Sequence, residues 1–109
     1  MKTVGALLGL IALPMSAAQS KTELSIGWLA YSNGTITQTL SVWNNARLPI
    51  KTVKIDCRFF SDADQLNQLA AGSVQIKNIL PSAAGYGTLS SASKAPANGA
   101  SCHIVSIKR

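Results

Sequence analysis

Side chains capable of catalysis are scarce in this sequence. It holds four carboxylates (Glu23, Asp56, Asp62, Asp64), one histidine (His103) and two cysteines (Cys57, Cys102), and its only methionines are Met1 and Met15. Glycoside hydrolysis needs two carboxylates converging on one bond, whereas Asp56, flanked by Lys54 and Arg58, reads as part of a cross-strand charge ladder. Soft copper sites need thioether, thiolate or several imidazoles, and no such set is present past residue 18. Asp62, Asp64 and Asn67 resemble the start of a calcium loop, but Asn67 and Ser73 stand where glycine and glutamate are required. A turn held by aspartate side chains accounts for them better. Cys102 and His103 are adjacent, and neighbours on a strand project to opposite faces, so they do not make a nucleophile with its base. No glycine-rich phosphate loop, nucleophile elbow or serine–base–acid set can be assembled. We expect no enzyme activity, no metal and no cofactor.

Long apolar runs are nearly absent as well. Residues 4–13 form one, broken by glycines, preceded by Lys2 and ended by Pro14. It is too short to cross a bilayer and reads as an export signal, with Ser16 and Ala18 at the small-residue positions of a cleavage site. The expectation is a cleaved signal peptide over residues 1–18 and a single domain over residues 19–109, periplasmic or secreted, with no membrane span in the mature form. No cysteine follows the apolar run and no twin arginine precedes it, so neither a lipid anchor nor the twin-arginine route is indicated.

About 91 residues remain, enough for one small domain. A domain of that size buries only roughly 60–70% of its unfolded surface and is marginal without a staple. In an oxidising compartment Cys57 and Cys102 supply one. Their bond would close a 46-residue loop, worth about 4 kcal/mol on chain entropy, and we expect it to clamp two layers of sheet together. Nine bases against four acids give the mature part a net charge of +5, but the bases are scattered, with local density only from Arg47 to Arg58. That spacing describes a solvated surface and not a nucleic-acid partner.

Strand signals dominate the rest. Ile36, Gln38, Leu40 and Val42 alternate with Thr35, Thr37, Thr39, Ser41 and Trp43; Val53, Ile55, Cys57 and Phe59 alternate with Lys54, Asp56 and Arg58. One face is core and one is wet, the antiparallel pattern. Residues 101–108 are ambiguous, since Cys102 and Ile104 share one parity while Val105 and Ile107 share the other. Asn33-Gly34 predicts a tight hairpin; Asn33-Gly34-Thr35 also fits the N-glycosylation pattern, and we read it as a turn. Pro49 and Pro81 mark further loops. Residues 62–71 leave two readings open. Asp62, Gln65, Leu66, Leu69 and Gly72 could cap and stop a short helix, but irregular structure or a short edge strand is favoured. The sum is an all-β, antiparallel β-sandwich of about seven strands with one disulfide.

Ser41-Val42-Trp43-Asn44-Asn45, Leu48-Pro49-Ile50 leading into residues 53–60, the polar turn Ser61-Asp62-Ala63-Asp64, and residues 76–81 together resemble the small exported FxLYD-type domains. The likeness covers roughly residues 35–108, with Ser61 displacing the aspartate expected directly after the aromatic pair. The resemblance implies an immunoglobulin-like sandwich of bacterial origin without a catalytic centre, and it transfers no functional residues.

What remains is surface. Trp43 and Phe60 have the parity opposite to the apolar faces of their strands, which makes them, beside Lys54 and Arg58, a candidate interaction surface. The functional expectation is a non-enzymatic protein-binding or structural module of the cell envelope with an unidentified protein partner. The alternative is a small secreted inhibitor or accessory subunit of an enzyme.

Overall fold

The computed structural model describes residues 21–109, so the expected export signal over residues 1–18 lies outside the described residues. Six strands follow one another: β1 (Thr22–Ser32), β2 (Thr35–Asn44), β3 (Ile50–Phe60), β4 (Gln68–Ile79), β5 (Ala83–Ala92) and β6 (Gly99–Lys108). They form two three-stranded antiparallel sheets, one in the order β1-β2-β5 and the other in the order β4-β3-β6. Among the described residues there is no helix, and none long and apolar enough to cross a membrane.

The alternation read from β2 and β3 is realised in full. Ile36, Leu40 and Val42 of the first sheet meet Val53, Ile55, Cys57 and Phe59 of the second, and all are buried. Ile50, Ile76, Ile79 and Leu89 complete the core. The β1–β2 hairpin turns on Asn33 (φ 52°) and Gly34 (φ 77°), with Ser32 paired to Thr35. Two consecutive positive φ values give the turn a twist that matches the flanking strands.

Six strands replace the expected seven because the short edge strand considered for residues 62–71 and the run after it are one element. Gly72 does not stop a helix; it pairs with Cys57 in the middle of β4, where a β-carbon would stand 3.0 Å from Leu89 Cδ2. The chain turns before that, at residues 61–67, where the Asp62 carboxylate accepts the backbone N–H groups of Leu66 and Asn67. Gln65 takes φ 60°, which leads the chain into a strand.

The disulfide joins Cys57 to Cys102, as expected, but it does not clamp the layers. The two cysteines are register partners on β3 and β6 within one sheet. The parity conflict in β6 resolves through a bulge. Ile104 pairs with Ile55 and Ser106 with Lys54, leaving Val105 as an extra residue that swings outward, so Cys102, Ile104 and Ile107 all face the core.

The sandwich is closed along one side and open along the other. Between β4 and β5 the layers approach so closely that a β-carbon at Gly85 would lie 2.6 Å from Ile79 Cγ1 and 2.8 Å from Ile76 Cγ2. Across the open side stand β1 and β6, which, like β4 and β5, each pair with one strand only among the described residues. Their lower ends are tied through Asn44, which is fully buried. Its Nδ2 donates to the carbonyls of Leu48 (2.9 Å) and Ile79 (3.2 Å), and its Oδ1 accepts from Ala46 N (3.2 Å) and Arg109 Nη1 (3.2 Å). Arg109 also donates to Leu48 O and to Thr22 Oγ1, joining the last residue to the start of β1.

Candidate functional site

The two outer faces of the sandwich have opposite characters. On the β4-β3-β6 sheet, Lys54, Asp56 and Arg58 project outward along β3, and Asp56 lies between His103 on β6 and Ser73 on β4. That face is charged and wet. On the β1-β2-β5 sheet the outward row of β2 is Thr35, Thr37, Thr39, Ser41 and Trp43. Its register partners on β5 are Ala92, Ser90, Thr88, Tyr86 and Ala84. Every outward side chain of these two strands is uncharged, and three aromatic rings stand on this sheet: Trp28 is 83% exposed, Tyr86 78% and Trp43 40%. Of the charged residues in these three strands there is one, Glu23, paired with Trp43.

Trp28 reaches this face through an irregularity in β1. Ile26 pairs with Leu40 and Leu29 with Gln38, so Gly27 and Trp28 together oppose Thr39. Two residues against one form a bulge, which turns both outward and re-aims the strand. The Trp28 N–H donates to Thr39 Oγ1 at 2.7 Å, and a β-carbon at Gly27 would fall 2.5 Å from that same oxygen. From the core side, the Gln38 amide Nε2 donates to Gly27 O (3.2 Å), Trp28 O (3.0 Å) and Thr39 O (3.0 Å). Gln38 is fully buried, and its Oε1 has no hydrogen-bond partner among the described residues. An amide in that setting carries a desolvation cost, offset by holding the bulge carbonyls.

A trough of about 420 Å³ crosses the middle of this face, lined by Ser25, Gly27, Thr39, Ser41, Tyr86 and Thr88 among others. Tyr86 is carried between Gly85 and Gly87, both of which turn inward against β4. Small residues beneath let the sheets pinch, and the ring between them has no direction left but outward.

The four residues singled out from the sequence are not brought together. Trp43 sits on the aromatic face at the end of β2 that enters the loop over residues 45–49. Phe60 lies at the far end of β3 in the other sheet, where the register with β4 shifts between Phe59 and Phe60 and both rings are buried. Lys54 and Arg58 stand on the charged outer face, a full sandwich thickness from Trp43. Trp28 and Tyr86 take their place beside Trp43. A simple period of two groups Trp28 with Leu24 and Ile26 as core, but Leu29 and Tyr31 share the other parity, and that switch at Gly27-Trp28 is the mark of the bulge in the sequence.

A second cleft, of about 490 Å³, opens between the unpaired edges, lined by Thr22 and Leu24 of β1 and residues 103–107 of β6. Both edges carry a bulge, at Gly27-Trp28 and at Val105. Bulged edges twist away from strand pairing, so the cleft is poorly shaped to accept an added strand.

Around Asp62 the geometry is a turn. Its exposed carboxylate is held below the ordinary aspartate range chiefly by the backbone N–H of Asn67, which with the N–H of Leu66 outweighs the opposing effect of desolvation. Asp62 spends its oxygens on its own loop, the side-chain-held turn read from the sequence.

Comparison with protein-family models, with curated protein sequences and with solved structures found no match to this chain.

Proposed function

We propose that this protein is an exported, non-enzymatic binding module of the cell envelope, periplasmic or secreted, that engages its partner through the outer face of the β1-β2-β5 sheet. The observation that carries this reading is the placing of Trp28, Tyr86 and Trp43 on one uncharged face. Exposed large aromatics grouped on a rigid surface are the residue types on which binding energy concentrates. The disulfide between Cys57 and Cys102 is compatible with an oxidising compartment. Its formation also removes both thiols from any nucleophilic role. The strand orders β1-β2-β5 and β4-β3-β6 are those of the first, second and fifth strands of an immunoglobulin-type sheet facing a sheet built on its third strand. This supports an immunoglobulin-like sandwich, and the lack of a catalytic centre that the FxLYD-type resemblance implies agrees with a binding role.

The test is retention of the purified protein on washed envelope material from an exporting bacterium. Wild type should sediment with the envelope, and the double variant W28A/Y86A should stay in the supernatant. Equal sedimentation of the two proteins would remove the face from the reading.

A further inference from the structure

The aromatic face also restricts the chemistry of its ligand. Resting on the reading of that face as the binding surface, we propose that it takes a neutral, β-linked polysaccharide chain, laid from Trp28 to Trp43 with Tyr86 at its flank.

Charge narrows the choice first. Lys54 and Arg58 lie on the opposite face, Arg47 on the loop after β2 and Lys94 on the loop after β5, while the outward residues of β2 and β5 hold no base. Lys21, Arg47 and Arg109 gather beyond the Trp43 end of the sheet, so an anionic polymer laid over the middle of the face would find no cation beneath it to replace its counterions. The hydroxyls of Thr37, Thr39, Ser41, Thr88 and Ser90 form two adjacent rows instead. Each hydroxyl both donates and accepts, which suits a ligand that is itself a lattice of hydroxyls.

Spacing narrows it further. With strands about 4.8 Å apart and about 3.3 Å of rise per residue, the register places Tyr86 roughly 8 Å from Trp43 and 12 Å from Trp28, α-carbon to α-carbon, and Trp28 roughly 14 Å from Trp43. These distances put a near right angle at Tyr86, so an extended chain running from Trp28 to Trp43 passes over two rings with Tyr86 roughly 7 Å to one side of its line, and the three cannot converge on one small molecule. Aromatic faces are electron-rich, and the C–H faces of a pyranose with equatorial substituents are their complement. A β-linked chain presents such faces repeatedly along a flat ribbon, whereas an α-linked chain coils away from a flat sheet. Glu23, paired with Trp43 at one end of the row, offers a carboxylate acceptor for a sugar hydroxyl.

The Gln38-held bulge completes the case. Without it, β1 would keep its parity and turn the side chain at position 28 to the side of Leu24, against the core. The chain instead buries an amide with an unpartnered Oε1 under the very backbone that points Trp28 outward. Gln38 is thus a positioning residue for this face.

The experiment uses the oxidised protein and two insoluble neutral probes, chitin and cellulose, with insoluble α-linked starch as the comparison. Binding isotherms by sedimentation should show uptake on at least one β-linked probe and none on starch. W28A and Y86A should each weaken that uptake about tenfold or more, while K54A/R58A on the charged face leaves it unchanged. Both aromatic side chains are largely exposed, so the variants are expected to fold, and an unchanged circular dichroism melt checks this. No uptake on any β-linked probe, or uptake insensitive to W28A and Y86A, overturns the proposal. If W28A/Y86A abolishes envelope retention while no glycan binds, the polysaccharide falls and the binding face stands. If envelope retention is insensitive to that variant as well, both fall together.

Discussion

The side-chain amide of Gln38, fully buried in the core, donates to the carbonyl oxygen of Trp28 at 3.0 Å, while the indole of Trp28 stands 83% exposed on the other side of the same sheet. A polar group in the interior therefore sets the direction of an apolar group on the surface. The usual arrangement of inside and outside is inverted at this one pair, and the bulge between them is the reason.

Replacing Gln38 with leucine keeps most of the volume and removes three donated hydrogen bonds. The orphaned Oε1 goes too, which offsets part of the loss. We expect a net destabilisation of about 1–2 kcal/mol, with hydrogen exchange accelerated at the Trp28 amide and not at Val42. Urea melts and amide exchange measure both, and unchanged protection at Trp28 would detach Gln38 from the bulge.

Asn44 is the knot at the other end of the sandwich. Its amide serves two carbonyls, and its oxygen accepts from Ala46 and from Arg109. Truncation to alanine leaves those buried partners unsatisfied, and a loss of about 3 kcal/mol is expected. R109A removes a more exposed partner and should cost about 1 kcal/mol. Chemical denaturation of the two variants should give that order; the reverse order would show that the strap at the C-terminal residue, and not Asn44, holds the lower end.

The disulfide links residues 45 apart in sequence that are direct neighbours in the sheet. β3 and β6 pair along most of their length independently of it, so the reduced protein should keep its strands. The unfolded chain gains the freedom of a long loop, and stability should fall by about 2–4 kcal/mol. Circular dichroism melts with and without reductant provide the measurement. Coincident melting temperatures would mean that the bond contributes nothing.

Acid should loosen the turn at residues 61–67 before it affects the sheets. The Asp62 carboxylate is stabilised in its ionised form by the N–H of Asn67 and then of Leu66, which depresses its folded pKa. A depressed aspartate contributes stability that is present above its unfolded pKa and lost as the pH falls through its folded pKa. A carboxyl titration followed by nuclear magnetic resonance should place the midpoint of Asp62 below the ordinary aspartate range, with the Leu66 and Asn67 amides shifting in step. A midpoint at or above the ordinary aspartate range would contradict the turn.

Much of this architecture was open to a reader of residue order. Ile36 to Val42 and Val53 to Phe59 alternate without interruption, and a strand with one apolar face has only one register that buries it. Asn33-Gly34 tolerates the two positive φ values of a tight hairpin, so the β1–β2 turn could be located from two letters. The cysteine pairing followed from having two and no more.

Where alternation breaks, local pattern stops being sufficient. The parity switches in β1 at Gly27-Trp28 and in β6 at Val105 are visible as conflicts in the sequence, but whether the odd residue goes in or out depends on the strand opposite. Phe60 has an outward parity and is nevertheless buried, because the register with β4 slips beside it. The same limit applies to the disulfide, whose ends are fixed by composition while its location within one sheet is fixed by pairing.

Local chemistry, in the spacing of apolar residues and the tolerance of asparagine and glycine for left-handed turns, was enough to specify strands, one hairpin and one covalent link. Which rings share a surface was decided by contacts between segments far apart in the chain. Trp28, Trp43 and Tyr86 become neighbours only once β1 and β5 pair on either side of β2, and Trp28 faces outward only because Gln38 meets the bulge from beneath.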